Sequence, residues 1–342
     1  MHSSIQSAAA GQQKTTRGAR LSAAPRKWLV ALAICSAWLP AQAAEPVLDQ
    51  LKITAPAAPG GGWDGSARAL QQAFMATKII PSVQVVNVTG AGGTIGLSQF
   101  SNSAGKDPKQ LLMMGVTLVG AVISNQAPVT LDAVSPIARL TADPLVIVVP
   151  KDSKYKTLAD LTAAIKADTA SVVWAGGSAG GADHILAGLL TKETGGDTSK
   201  INYVPFSGGG EALAEMLGGR VSAGISGYNE FESQIKEGNL RALAVSTEER
   251  MAGIDVPTIM EQGIDVTFTN WRGLMAGKDL TDEQRATLSK AVKEVVNSPE
   301  WKEILKVRGW DDAYLDSDAY AKFLVADNKR VHDALVSVGL AK

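Results

Sequence analysis

The chain has 342 residues, 33 Lys and Arg against 34 Asp and Glu, a formal net charge of −1 and a single cysteine. With no basic run, it lacks the phosphate-neutralising surface of a nucleic-acid binder, so no nucleic-acid partner is expected. A lone cysteine excludes an internal disulfide, and the length exceeds one ordinary core, which favours two lobes.

The first segment reads as an export signal. Arg17, Arg20, Arg26 and Lys27 form a basic region, and Trp28 to Trp38 is an apolar run of eleven residues, short for a bilayer span. Ala41-Gln42-Ala43 supplies a small-x-small cleavage site, so residues 1–43 are expected to leave as a signal peptide. Removing 43 of 342 residues leaves 299 and takes away five basic and no acidic side chains, which moves the net charge from −1 to −6. Cys35 leaves with the signal, and the expected location is the periplasm.

From there β-like and helix-like runs alternate. Leu51 to Ala55 predicts a strand, and Ser66 to Met75 a helix with Leu70 and Phe74 on one face. Val83 to Val88 predicts a strand, Ile95 to Ser101 a helix, and Leu111 to Val116 a strand followed by a helix to Ser124. Leu145 to Val149 is an unbroken apolar run, the mark of a buried strand of the parallel kind. Leu158 to Ala167 predicts a helix capped by Thr157. Then come a strand at Ser171 to Trp174, a helix at Asp183 to Glu193, a strand at Ile201 to Val204 and a helix at Glu211 to Leu217. Further strands are expected at Val221 to Ile225, Ala242 to Ser246 and Gly273 to Ala276. Beyond Thr281 the chain reads as helical, with Thr281 and Gln284 spaced as a capping box and Pro299 at a helix start.

This alternation predicts an α/β fold of mostly parallel sheets flanked by helices, arranged in two lobes. Extended crossings are expected near Ala142 to Leu145 and near Ile264 to Asn270. They divide the chain into a discontinuous lobe, 44–142 with 266–342, and an inserted lobe, 143–265.

Four glycine-rich turns lie between strand and helix: Pro59-Gly60-Gly61-Gly62-Trp63-Asp64, Gly90-Ala91-Gly92-Gly93-Thr94, Gly176-Gly177-Ser178-Ala179-Gly180-Gly181 and Ser207-Gly208-Gly209-Gly210. Such turns aim backbone N–H groups and a helix dipole at one point, so four of them suggest a cleft that holds an anion.

Two turns also match enzyme patterns whose partners are missing. Gly60-x-Gly62-x-x-Gly65 fits a dinucleotide fingerprint, but the following strand ends near Asn87 where an acidic residue is needed. Gly176-x-Ser178-x-Gly180 fits a nucleophile elbow. Its histidine, however, would have to be His332, inside a predicted terminal helix, or His184, in the first turn of the same helix as the serine. Ser178 is otherwise a polar ligand-binding or capping residue. The two histidines left after cleavage lack metal-ligand spacing. No enzyme activity, metal or cofactor is expected.

Asp64 either caps its helix and pairs with Arg68, or holds the loop or accepts from a ligand. Arg272 is either an inter-lobe salt-bridge residue or a fork for a carboxylate. Trp63, Trp174 and Trp271 read as cleft wall and hinge packing.

The motifs together resemble a known family. Pro59-Gly60-Gly61 with Asp64, and Asn87 followed by Gly90-Ala91-Gly92-Gly93-Thr94-Ile95-Gly96, look like its first two turns. Val204-Pro205-Phe206-Ser207-Gly208, Leu217-Gly218-Gly219, Leu240 to Val245 and Val256-Pro257-Thr258 continue the likeness. The family is that of the periplasmic solute-binding (Bug) proteins of tripartite tricarboxylate transporters. Asn270-Trp271-Arg272-Gly273 resembles its tricarboxylate-type branch.

The resemblance implies a two-lobed binding protein of the two-crossover type that closes on a small carboxylate. A citrate-like di- or tricarboxylate is the implied ligand, and the large and small integral-membrane components of a tripartite transporter are the implied partners of a monomeric receptor. Carried over residue by residue, it places Pro59, Gly61, Asp64, Ala91, Gly92, Thr94, Ser178 and Gly181 at the ligand, with Thr117, Ser207, Ser226 and Gly227 near it. The turn positions Gly60, Trp63, Gly90, Gly93, Ala179 and Gly180, and the fork Arg272, complete the candidate site. The chain departs from the family where Ala57 and Ala58 replace an aromatic and where Ser207-Gly208 replaces Lys-Gly, which removes a cation. Two rivals remain: an amino-acid or aromatic-carboxylate binder, needing a carboxylate such as Asp64 or Glu230 in the cleft for an ammonium, and an exported hydrolase using Ser178.

Overall fold

The computed structural model describes residues 48–342 apart from 207 and 252. The expected signal segment and Ser207 therefore lie outside the described residues.

Three strand–helix units open the fold. They are β1 (Gln50–Ala55) with α1 (Gly62–Thr77), β2 (Ser82–Asn87) with α2 (Thr94–Ala104), and β3 (Gln110–Gly115) with α3 (Val116–Ser124). Strand β1 runs parallel to both β2 and β3. Helix α1 turns Ala67, Leu70, Ala73 and Phe74 into the core, the face that the i, i+4 spacing predicts.

A single long strand, β4 (Val134–Pro150), then runs through the centre of the molecule. A second set of units follows: α4 (Leu158–Ala167), β5 (Val173–Gly176), α5 (Ala182–Glu193), β6 (Asn202–Pro205), α6 (Gly209–Leu217), β7 (Ala223–Gly227), α7 (Tyr228–Lys236) and β8 (Leu240–Val245). Strand β5 is parallel to β6 and β7. The chain returns through β9 (Thr269–Gly277) and closes with α8 (Asp282–Val296), α9 (Pro299–Arg308), β10 (Asp311–Leu315) and α10 (Ser317–Ser337). The sheet order is β2-β1-β3-β9-β4-β7-β5-β6, with β8 and β10 also paired to β4.

The local signals for helix starts act as expected. Thr157 and Asp160 form a capping box on α4, Thr281 and Gln284 form one on α8, and Pro299 opens α9 behind a Ser298 cap.

Strand β4 corrects the reading of Leu145 to Val149. This run is buried, but it pairs antiparallel with β7 and β8, and the earlier part of the strand pairs antiparallel with β9 and β10. Leu145, Ile147 and Val149 face one core while Val146 and Val148 face the other. An apolar run records burial on both faces and carries no information on neighbour direction. Helix α7 and strand β10 are additions to the predicted elements. In α7, Tyr228, Phe231 and Ile235 recur at i, i+3 and i+7 and pack on one core, a helical period short enough to be overlooked, whereas β10 begins with two exposed aspartates and shows no apolar period.

Partners change along β4 between Pro144, which pairs with β9, and Leu145, which pairs with β7. Buried Ser246 ties this point to the return path. Its Oγ accepts from the Leu145 N–H at 3.1 Å, its own N–H donates to the Leu145 carbonyl, and its carbonyl accepts from Phe268.

Candidate functional site

The parallel strands end on a common space. The turns after β1, β2, β5 and β6 all meet there, at the carboxyl ends of parallel strands where α/β folds place ligands. The first turn approaches the fourth, because a Cβ on Gly208 would lie 3.6 Å from the Gly61 Cα. The second approaches the third, because a Cβ on Gly92 would lie 3.6 Å from the Ser178 Cβ. Between them is a cavity of about 300 Å³, at the small end of the range for ligand pockets.

The first turn is braced by Asp64, which is 3 % exposed. Its carboxylate accepts from the Gly60 N–H at 2.9 Å, the Arg68 Nε at 3.0 Å and the Asn87 Nδ2 at 2.9 Å. Asn87 also donates to the Ala57 carbonyl, so the end of β2 locks the loop after β1. Burial alone would raise the Asp64 pKa, but the bonds from Arg68, Gly60 and Asn87 outweigh it and hold the carboxyl below its usual range.

The second turn has an unusual backbone. Gly90, Ala91, Gly92 and Gly93 have φ of +133°, +47°, +64° and +94°. The Gly93 N–H donates to the Gly90 carbonyl at 2.9 Å and closes the turn, and a tight glycine turn of this kind presents its remaining backbone N–H groups as an anion-binding concavity. The carbonyl of Ala91 accepts from the Thr94 hydroxyl at 3.0 Å and from Asn125 at 3.2 Å, which fixes the turn from behind. Gly93 leaves room for the Trp63 ring.

The third turn carries Ser178 and Ala179 into the cavity wall. The Gly177 N–H donates to Asp183 at 2.7 Å, and the Gly180 N–H donates to His184 Nδ1 at 3.2 Å. Thr117, on α3, accepts from the Ala182 N–H at 3.3 Å. Burial raises the Asp183 carboxyl to about 7, opposed by the Gly177 bond and reinforced by the charge of Glu230. His184 stacks on Tyr203 with ring centroids 4.0 Å apart, and burial lowers its pKa to about 4. It is a buried acceptor engaged by Gly180, turned into packing rather than toward Ser178, and the hydrolase constellation is not assembled.

Near the fourth turn, the Ser226 hydroxyl donates to Glu230 Oε2 at 3.1 Å. Gly62 and Gly209 leave room for the Glu230 carboxylate: a Cβ on Gly62 would come within 3.2 Å of it, and one on Gly209 would overlap it. Arg272 is 2 % exposed, pairs with buried Asp143, donates to the Ser66 hydroxyl at 3.2 Å and lies 4.0 Å from Glu230 Oε1. Burial drives the Asp143 carboxyl up to about 6 against the pull of Arg272.

Of the candidate residues, Trp63, Gly90, Ala91, Gly92, Gly93, Thr117, Ser178, Ala179, Ser226 and Arg272 line the cavity. Pro59, Gly60, Gly61, Asp64, Thr94, Gly180, Gly181 and Gly227 stand behind the lining, where they shape the turns. Lining residues outside the candidate set include Asn125, Phe206, Asn270, Asp183 and Glu230. The last two sit in the first turns of α5 and α7. An acid just after a glycine turn is the signal that could have found Asp183.

A family model described as the tripartite tricarboxylate transporter family receptor matches residues 67–340. A UPF0065 protein of Agrobacterium vitis is 35% identical over 252 residues, 72% of this chain and 71% of its own. Among solved structures, a TctC solute-binding protein from Polaromonas is 28% identical, covering 86% of this chain and 98% of its own, with a TM-score of 0.63. The periplasmic binding protein BugD is 23% identical, covering 86% and 98%, with a TM-score of 0.77, and shares the fold.

Proposed function

The chain belongs to the tripartite tricarboxylate transporter receptor family, and from that premise we propose that it captures a small organic carboxylate between two lobes and hands it to a membrane carrier. It is a solute-binding receptor, not an enzyme, and receptors of this family are periplasmic. The proposed lobes are 44–142 with 266–342, and 143–265, hinged where β4 changes partners. The proposed route is export by a signal peptide at 1–43, followed by delivery to the large and small membrane components of a tripartite transporter. The resemblance by itself implies a citrate-like di- or tricarboxylate, before the charge of the cavity wall is considered.

One observation carries the carboxylate reading: the left-handed run Gly90 to Gly93 on the cavity wall, facing the turn of Ser178 and Ala179. Each backbone hydrogen bond to a charged ligand contributes roughly 1.5–3 kcal/mol. A few of these reach a micromolar site, about −8 kcal/mol, after entropy and desolvation costs. The test is calorimetric titration of the ligand-stripped protein with a panel of small carboxylates, repeated on Gly92→Val. Binding by at least one carboxylate, abolished in Gly92→Val, is expected. A panel with no binder defeats the reading.

A further inference from the structure

The structure makes the four glycine turns unequal. Three of them already hold a carboxylate of the protein. Asp64 accepts from Gly60 in the first, Asp183 accepts from Gly177 in the third, and Glu230 fills the space that Gly209 leaves in the fourth. The second turn, among the described residues, is held by Thr94, Asn125 and its own backbone. A carboxylate already held in a turn repels a second one, and it takes the Gly60 N–H in the first turn and the Gly177 N–H in the third.

The charge of the wall points the same way. Arg272 is the one cation lining the cavity among the described residues, and it is already paired with Asp143. Asp183 and Glu230 line the same cavity. The Glu230 side chain is 20% exposed; Oε2 takes the Ser226 hydroxyl, while Oε1 is 4.0 Å from Arg272, beyond hydrogen-bond reach. Burial first, then the charge of Glu230, pushes the Asp183 carboxyl up, as expected of two acids facing one space.

Resting on the carboxylate reading above, we infer that the ligand is an amino carboxylate, its single carboxylate on the Gly90–Gly93 turn and its ammonium against Glu230 and Asp183. An ammonium brings three N–H donors to a wall rich in acceptors and relieves the acid pair. A second ligand carboxylate would meet that acid pair with no free cation among the described lining residues to neutralise it. Glu230 is then the specificity-determining residue.

The experiment compares matched ligands on ligand-stripped protein near neutral pH. β-Alanine is set against malonate, 4-aminobutyrate against succinate, and α-amino acids against their 2-hydroxy counterparts, with citrate and malate included. At least one amino member is expected to bind about tenfold or more tightly than its partner and than citrate. Glu230→Gln should erase that preference while circular dichroism shows the fold retained. The wild-type comparison stands by itself if the variant fails to fold. Dicarboxylates or citrate binding as tightly as every amino member, or an unchanged preference in folded Glu230→Gln, overturns the inference and leaves the carboxylate reading intact. Binding by neither class overturns both.

Discussion

At the scale of single residues, several side chains that look chemical in the sequence are structural in the fold. Ser178 lines the cavity with no histidine among the described lining residues, and Asp64 holds the first turn rather than lining the cavity. His184 is the clearest case: as a neutral acceptor from Gly180, stacked on Tyr203, it fixes the third turn. Its pKa falls from 6.5 to about 4 through burial, so the folded state resists protonation. The unfolded chain takes up a proton below about 6.5 that the fold refuses, so this stability is complete above that pH and is lost as pH falls toward 4. The loss between pH 7 and pH 5 comes to about 2 kcal/mol. Asp183, raised to about 7, titrates in the opposite sense, so the comparison must be between variants. Urea unfolding of His184→Asn at the two pH values should show a pH dependence smaller by about that amount. An equal dependence in both proteins would remove His184 from the account.

At the scale of elements, the crossing strands form one device. Arg272 on β9 and Asp143 on β4 pair diagonally, since Arg272 faces Thr141 and Asp143 faces Asn270 in the register, and Arg272 reaches Ser66 on α1 and Glu230 on α7. Removing the guanidinium leaves Asp143 as a buried carboxyl without its partner. Arg272→Met is expected to destabilise the protein by about 3–5 kcal/mol. The double variant Asp143→Asn, Arg272→Met should recover more than half of that in urea unfolding, since no charge is then stranded. Additive effects would mean that the pair is not coupled. Helix starts are legible in the sequence because caps act within four residues, as at Thr157, Thr281 and Pro299. Strand direction is not, since it belongs to the partner as much as to the strand. That is why Leu145 to Val149 reads as parallel and folds antiparallel.

At the scale of the molecule, the two walls of the cavity meet through positions without side chains. Helix α3 brings Gly120 against the backbone of Gly180, and a Cβ on Gly120 would overlap the Gly180 carbonyl. Backbone cannot swing aside as a flexible side chain does. Alanine favours a helix over glycine by about 1 kcal/mol, so any loss in Gly120→Ala comes from this contact. The expected result is ligand affinity weakened about tenfold, with the helical content of the variant unchanged. Unaltered affinity would show that the walls need not approach this closely.

The sequence by itself determined the alternation of elements, the helix caps and the positions of the glycine turns, because these depend on residues near one another in the chain. It also determined the family, through short motifs kept in order. Only the tertiary structure decided what each turn holds. Asp64 and Asp183 reach turns four to six residues away, but Glu230 comes to the fourth turn from a different helix, and Arg272 meets Asp143 from a strand far along the chain. Charge in a cleft is a sum over side chains that folding brings together. A chain with four glycine turns therefore folds into a cavity in which three of the turns meet a carboxylate of the protein itself.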